Sequence, residues 1–231
     1  MAEGYRKVIG VRFGVMVMTV EPPRPRLRGR IHQVAFFCSI PAGFVLIALA
    51  RGAAATAVTV IYAVSLTAVF GASAAYHRGA WSPNAKRWMK RLDHSMIFVL
   101  IAASYTPIAV LALHGPWEVV LLSLAWVGAG IGVVMKMARP DGLSVTTAIL
   151  YMALGWLILV VLPQLIRGVS LPGLILMACG GLLYTAGAIV FATRRPDPRP
   201  LVFGYHEIWH AFMVAAAACH YAMILLILRA A

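Results

Sequence analysis

Seven long apolar stretches constrain the fold of this chain more than any other feature. They cover approximately residues 31–50, 53–77, 92–113, 117–137, 143–162, 170–193 and 203–228. Each is near or above the ~20 residues that cross a ~30 Å hydrocarbon core as a helix. With 62% hydrophobic and 12% charged residues, the chain is also too apolar for a soluble domain. The stretches therefore predict an all-α integral membrane protein, a bundle of seven transmembrane helices.

The basic residues predict how these helices are oriented. With the N-terminus in the cytoplasm, 17 of the 20 lysines and arginines fall on the cytoplasmic side, and only Arg51, Arg167 and Arg229 fall on the other. Because loops rich in Lys and Arg stay in the cytoplasm, this asymmetry predicts a cytoplasmic N-terminus and an external C-terminus. It excludes the G-protein-coupled receptors, whose seven helices begin outside.

The N-terminal region is predicted to be distinct from the bundle. Residues 1–30 form a basic cytoplasmic leader, which we expect to be flexible, and residues 31–231 form the transmembrane domain. Translation starts at Met1 or at Met18, since the residues after Met18 make a basic leader by themselves. The net charge of +13 is spread over the gaps between spans. We therefore expect the chain to contact anionic lipid headgroups and not nucleic acid.

Ionisable side chains inside the predicted spans are the candidates for function, because placing them in lipid is costly. His206 and His210 stand four residues apart and share one face of a helix. His77 ends the second span, which runs inward, and Asp93 begins the third, which runs outward. The topology thus places all four at the cytoplasmic end of the bundle. Three histidines from two helices, with a carboxylate nearby, can form a catalytic type of zinc site, although such a site also accepts other divalent ions.

Ser73 and Asp93 are the candidate catalytic residues, and each has a second interpretation. Ser73 lies one turn before His77, where its hydroxyl would hold the water on the metal or a substrate oxygen; alternatively, it bonds to a carbonyl of its own helix. Asp93 would orient that water or accept its proton, or it would pair with Lys90 or Arg91 at the membrane interface. The sequence leaves both questions open.

The segment HEIWH at 206–210 also matches H-E-x-x-H, in which two histidines bind zinc and the glutamate is the general base of a metalloprotease. Against a protease, His220 lies about 21 Å along the helix from His206 and cannot reach the same ion. Glu207 is therefore either a base or an interfacial acid that pairs with an arginine. His220 is either a buried histidine bonded to a neighbouring helix or a group that lines a cavity leading to the site.

Five motifs follow one another along the chain. They are RGRIH at 28–32, SAAYH at 73–77, LDHSMIF at 92–98, ASYTPI at 103–108 and HEIWHAFMVAAAACH at 206–220. This set, over about residues 28–228, resembles the hemolysin III proteins of bacteria, which are related to the adiponectin and progestin receptors. The resemblance implies a multi-pass protein of the bacterial cell membrane. It also implies zinc bound by His77, His206 and His210, with Ser73 and Asp93 close to the water on the metal.

The resemblance also carries an expectation for function. The wider relatives of the family include ceramidases, so it implies a zinc-dependent hydrolase that cleaves an amide or ester bond in a membrane lipid. One alternative is a non-enzymatic channel, cytolysin or membrane-homeostasis protein, or a receptor or sensor, in which zinc is structural. Another is an intramembrane H-E-x-x-H metalloprotease. Whether the chain is an enzyme stays open at this point.

Overall fold

The computed structural model describes residues 24–141 and 144–230, and these ranges are almost entirely helical. The helices are α1 Arg30–Leu49, α2 Ala53–Arg78, α3 Pro83–Ala112, α4 Pro116–Ala138, α5 Ser144–Gly155, α6 Leu162–Gly168, α7 Leu171–Thr193 and α8 Tyr205–Ala230. A 3₁₀ segment, Leu157–Val161, connects α5 to α6. The described ranges contain no β-strand, only a single bridge between Arg199 and Phe203.

Seven segments of the described chain are long and apolar enough to cross a membrane, which confirms the predicted number of spans. Six of them are single helices, and the fifth span, Val145–Gly168, is interrupted. Large apolar side chains point outward from the bundle: Val134 is 67% exposed, Val145 72% and Leu171 69%. Such a surface is stable only against lipid, so the fold is an all-α bundle embedded in a membrane.

Pro163 accounts for the interruption in the fifth span. Proline has no backbone N–H, and its ring clashes with the carbonyl four residues earlier. The residues before it tighten into the 3₁₀ segment, where the N–H of Leu159 donates to the carbonyl of Trp156 at 3.1 Å. The span therefore continues beyond the predicted stretch 143–162 and ends at Gly168.

Helix α3 begins at Pro83, well before the apolar stretch 92–113 from which it was predicted. Ser82 caps this end, since its side chain accepts a hydrogen bond from the N–H of Ala85 at 3.4 Å. Pro83 suits the first turn because the N–H that it lacks would have no helical partner there. The first turns carry several basic residues, which hydrophobicity alone assigns to a loop.

The last helix joins the two ends of the chain's bundle, because α8 packs against α1 and α3 as well as α7. Small residues allow the close approaches: a Cβ added at Gly187 of α7 would come 2.7 Å from the ring of Trp209 on α8. The interior is filled by apolar side chains, of which Tyr62, Phe98 and Leu46 are among the largest that are fully buried. This packing fixes the start of α8 beside the end of α2.

Residues 24–29, which we call the N-terminal strap, join this same end of the bundle. The N–H of Arg26 donates to the carbonyl of Leu201 at 3.0 Å, and that of Leu27 to the carbonyl of Val202 at 3.2 Å. The strap is thus bonded to the loop before α8. Residues 1–23 of the predicted leader, Met18 included, lie outside the described residues.

Candidate metal centre

Three histidines converge where α2 ends and α8 begins. His77 stands one residue before the end of α2, and His206 and His210 lie in the first two turns of α8. Their candidate ligand nitrogens all lie within 4.8 Å of one another, and the Nε2 atoms of His77 and His206 are 3.2 Å apart. His210 is buried, whereas the other two are half-buried. The sequence predicted this grouping, and the structure brings the three residues together.

The cluster has a geometry that could hold a metal ion. Two nitrogens bound tetrahedrally at ~2.1 Å from a zinc ion lie about 3.4 Å apart, close to the separation of His77 and His206. Imidazole nitrogens this close together can each offer a lone pair, which favours a cation between them. The described residues contain no other group of three His, Cys, Asp or Glu side chains this close. The cluster is therefore a candidate metal centre.

Ser73 and Asp93 form a pair beside the cluster. Both side chains are buried, at 3% and 9% exposure, and the hydroxyl of Ser73 hydrogen-bonds to the carboxylate of Asp93. Ser73 lies one turn before His77 on α2, so the pair adjoins the cluster along that helix. Lys90, the alternative partner of Asp93, instead forms an ion pair with Asp141 in the loop after α4, and this pairing lowers the pKa of Asp141.

Arg91, the other predicted alternative, lies over the ring of Trp88 at 4.7 Å. The interfacial ion pair considered for Asp93 is therefore absent from the described residues. What remains is a buried carboxylate held by a hydroxyl group, next to a cluster of three histidines.

Glu207 has a structural role, although it lies between the two histidines of the H-E-x-x-H pattern. It is the third residue of α8, and its Oε2 accepts the N–H of Gly204, the residue before the helix, at 2.8 Å. A glutamate at this position commonly caps a helix in this way. Its Oε1 accepts from Nε of Arg28 at 2.5 Å, and Glu207 is only 1% exposed. This is the arginine pair that the sequence left as one of two possibilities.

The strap covers the cluster through three further contacts. Arg24 donates to the carbonyl of His77 at 3.2 Å and to that of Gly79 at 3.4 Å, so it satisfies carbonyls at the end of α2. Gly29 has a φ of 77°, and a Cβ placed there would lie 2.7 Å from the Cβ of His77. Only glycine fits this close approach in a left-handed conformation. Arg24 and Gly29 of the strap therefore contact His77 and help to fix its position.

His32 packs against this cluster, a contact that the sequence did not predict. Its ring stacks on that of His210, with centroids 3.8 Å apart and planes within 7°, and Phe70 packs against it at 5.2 Å. The residue is 1% exposed. In the sequence it stood at the start of the first span, with nothing to place that end of α1 beside α8. The RGRIH motif was the available signal.

His220 is separate from the cluster, as predicted. It packs on Gly180 and edge-on against Tyr184, at a centroid distance of 5.5 Å, deep in the interface of α7 and α8. Its Nε2 has no hydrogen-bond partner among the described residues.

A comparison with family models fits this arrangement. The model described as "Haemolysin-III related" matches residues 20–221. The chain belongs to the haemolysin III family. Hemolysin-3 of Bacillus cereus is 32% identical to it over 197 residues, which make up 84% of this chain and 87% of the relative. The Hemolysin-3 homolog of Bacillus subtilis is 29% identical over 197 residues, 84% of this chain and 89% of that protein.

A mammalian relative extends the comparison beyond bacteria. Monocyte to macrophage differentiation factor of Homo sapiens is 29% identical over 165 residues, 70% of this chain and 66% of the relative. This haemolysin III protein is therefore also similar to the mammalian proteins that resemble adiponectin and progestin receptors. With its seven spans, it is a multi-pass protein of the bacterial cell membrane.

Proposed function

We propose that this haemolysin III protein is a zinc-dependent hydrolase of an amide or ester bond in a membrane lipid. The observation that carries the proposal is the cluster of His77, His206 and His210 with the Ser73–Asp93 pair next to it. When bound, zinc polarises a carbonyl and lowers the pKa of water so that a nucleophile is available near neutral pH. The three histidines would hold the ion through nitrogen, which suits zinc.

Asp93 is the residue that we assign to proton transfer. It is the buried carboxylate one turn from the cluster along the chain of contacts through Ser73. Lys90 and Arg91, the basic residues just before it on α3, contact Asp141 and Trp88 instead. A carboxylate in that setting can hold the attacking water and take its proton. The hydroxyl of Ser73 bonds to this carboxylate, so we propose that Ser73 orients Asp93. The hydroxyl then has no second proton with which to stabilise an oxyanion.

The proposed substrate is a lipid because the cluster belongs to a bundle embedded in the bilayer. It lies where α2 ends and α8 begins, at one end of the spans, and the ester and amide bonds of lipids also lie towards the ends of spans. The strap and the end of α2 place arginines at this end, where they would contact anionic headgroups. Arg24, Arg26 and Arg78 are three of these arginines. We propose that this end faces the cytoplasm, as the distribution of basic residues indicates.

Replacement of Asp93 tests the assignment. We expect Asp93→Asn to retain zinc but to lose hydrolysis by a factor of about 10² or more, the usual contribution of a general base. Glu118→Gln is the control and should leave activity unchanged, because Glu118 lies in the first turn of α4, at the opposite end of the bundle from the start of α3. Purified protein would be screened against ceramides, phospholipids and acyl amides. Full activity in Asp93→Asn would refute the role of Asp93.

A second candidate function is a non-enzymatic one with structural zinc. The names of the bacterial relatives, Hemolysin-3 and its homolog, favour a protein that acts on membrane integrity. A channel needs a polar path, yet the described interior is filled by apolar side chains such as Phe98, Leu100 and Ala102. Zinc-dependent thermal stability and leakage from lipid vesicles, without hydrolysis of any lipid, would favour this function. A receptor or sensor would give zinc-dependent stability without either activity.

The protease alternative depends on Glu207 as a base. Both carboxylate oxygens of Glu207 are engaged, one by Arg28 and one by the N–H of Gly204. Glu207 is therefore committed to contacts that hold the strap and the start of α8. We therefore rank this function last.

A further inference from the structure

His32 is a buried histidine whose ring nitrogens make no hydrogen bond of normal geometry with the described residues. The backbone of His210 lies near the ring, but it can serve one nitrogen at most, and both nitrogens are shielded from solvent. A neutral imidazole has one N–H donor and one lone pair. Leaving a buried polar atom unsatisfied typically costs more than replacing the side chain by an apolar one of similar shape. Packing alone therefore does not explain a histidine here.

The ring is also held in place. His210 stacks on one of its faces at 3.8 Å, and Phe70 packs against it at 5.2 Å. The turn before it is fixed by Gly29, where an added Cβ would lie 2.7 Å from the Cβ of His77. The ring is thus packed on both sides, and at least one of its nitrogens is left for a ligand that binds beside the three-histidine cluster.

We propose that His32 binds the ligand of the metal centre by a hydrogen bond to a ligand oxygen. The ligand class is a small oxygen donor such as a carbonyl, carboxylate or hydroxamate group, which a metal ion held by three histidines accepts in its open position. This inference rests on the metal centre within the proposed function, but not on hydrolysis. His32 is a binding residue in this role, and it leaves the three nitrogen ligands of the ion unchanged.

Cobalt provides a test that does not need a substrate. Co²⁺ bound by three histidines gives a visible absorption spectrum, and that spectrum would report titration with acetohydroxamate. His32→Phe keeps an aromatic ring on His210 and removes both nitrogens. We expect it to bind as much Co²⁺ as the wild type but acetohydroxamate about tenfold more weakly, which corresponds to one hydrogen bond. His32→Gln, which keeps a donor and an acceptor, should recover part of the affinity.

The chain offers a matched control. His220 is likewise buried with an unpartnered Nε2, but it lies well away along α8. His220→Leu should therefore leave the affinity for acetohydroxamate unchanged, while His32→Leu should weaken it. The two leucine variants also serve if His32→Phe does not fold.

Two outcomes in the variants would overturn the proposal. In one, His32→Phe or His32→Leu binds Co²⁺ and acetohydroxamate as the wild type does, so that His32 only packs. In the other, the folded variants lose Co²⁺, so that His32 acts on the ion and not on its ligand. A wild type that takes up no Co²⁺ would refute the metal centre and this inference together. A wild type that binds Co²⁺ and acetohydroxamate but hydrolyses no lipid would refute only the proposed hydrolase.

Discussion

Glu207→Gln distinguishes a structural role of this glutamate from a catalytic one. The side chain is 1% exposed and makes two contacts, with Nε of Arg28 at 2.5 Å and with the N–H of Gly204 at 2.8 Å. Glutamine keeps the volume and one acceptor oxygen but loses the charge. Removing one partner of a fully buried ion pair costs about 3–5 kcal/mol. Because the side chain of Arg28 is 24% exposed and can be solvated, we expect a smaller loss of about 1–3 kcal/mol.

The assay is thermal unfolding of the zinc-loaded protein in detergent, together with lipid hydrolysis. A loss of this size should lower the Tm by several degrees, since each kcal/mol corresponds to roughly 2–4 °C for a chain of this length. Hydrolysis per folded, zinc-loaded molecule should stay within about threefold of the wild type, a change smaller than the loss of a general base.

Glu118→Gln is the matched control for this experiment. Glu118 is also the third residue of a helix that follows a glycine, but its side chain forms no hydrogen bond with the described residues. Its replacement should change stability by less than ~0.5 kcal/mol. The reasoning is refuted if Glu207→Gln keeps the stability and zinc of the wild type while hydrolysis falls a hundredfold or more. That result would identify Glu207 as the base and favour the H-E-x-x-H mechanism.

Three further perturbations test other parts of the structure. Gly29→Ala should lower zinc affinity, measured by competition with a chelator, because the added Cβ would lie 2.7 Å from the Cβ of His77; Gly52→Ala, also at positive φ but with open space around it, should not. Chelation of zinc should lower the Tm of the wild type, because an ion bound only by the folded state stabilises that state. Lys90 lowers the pKa of Asp141, so their pair contributes stability above the ordinary pKa of aspartate and loses it as the pH falls through the lowered value. The contribution of this exposed pair should be below ~1 kcal/mol, so Asp141→Asn should remove only a small acid-dependent part of stability, measured by unfolding at several pH values.

The sequence predicted the part of the site that lies on helices with a clear periodicity. The apolar stretches predicted seven spans, and the alternation of spans put His77 and His206 at the same end. Hydrophobicity could not predict where α3 begins, because its first turns are basic and Ser82 and Pro83 mark the start by capping. It also could not predict the break at Pro163, which depends on local hydrogen bonding.

The contacts of the strap were beyond prediction because they join distant parts of the chain. Arg28 and Glu207 are 179 residues apart, and a sequence pattern cannot select one arginine among the many at this end. His32 was overlooked for the same reason, since only the packing of α1 against α8 places it on His210. Like His77, His32 is a histidine at the end of a predicted span, which is the signal that the sequence contains.

Metal analysis of the purified protein tests the central claim most directly. We expect the wild type to contain about one zinc ion per chain, as a site of three histidines should. Folded His210→Ala and His77→Ala should each contain almost none, because two histidines from the cluster cannot hold the ion tightly. The control His220→Leu should keep it. A wild type without stoichiometric metal, or either alanine variant with the full amount, would contradict the account.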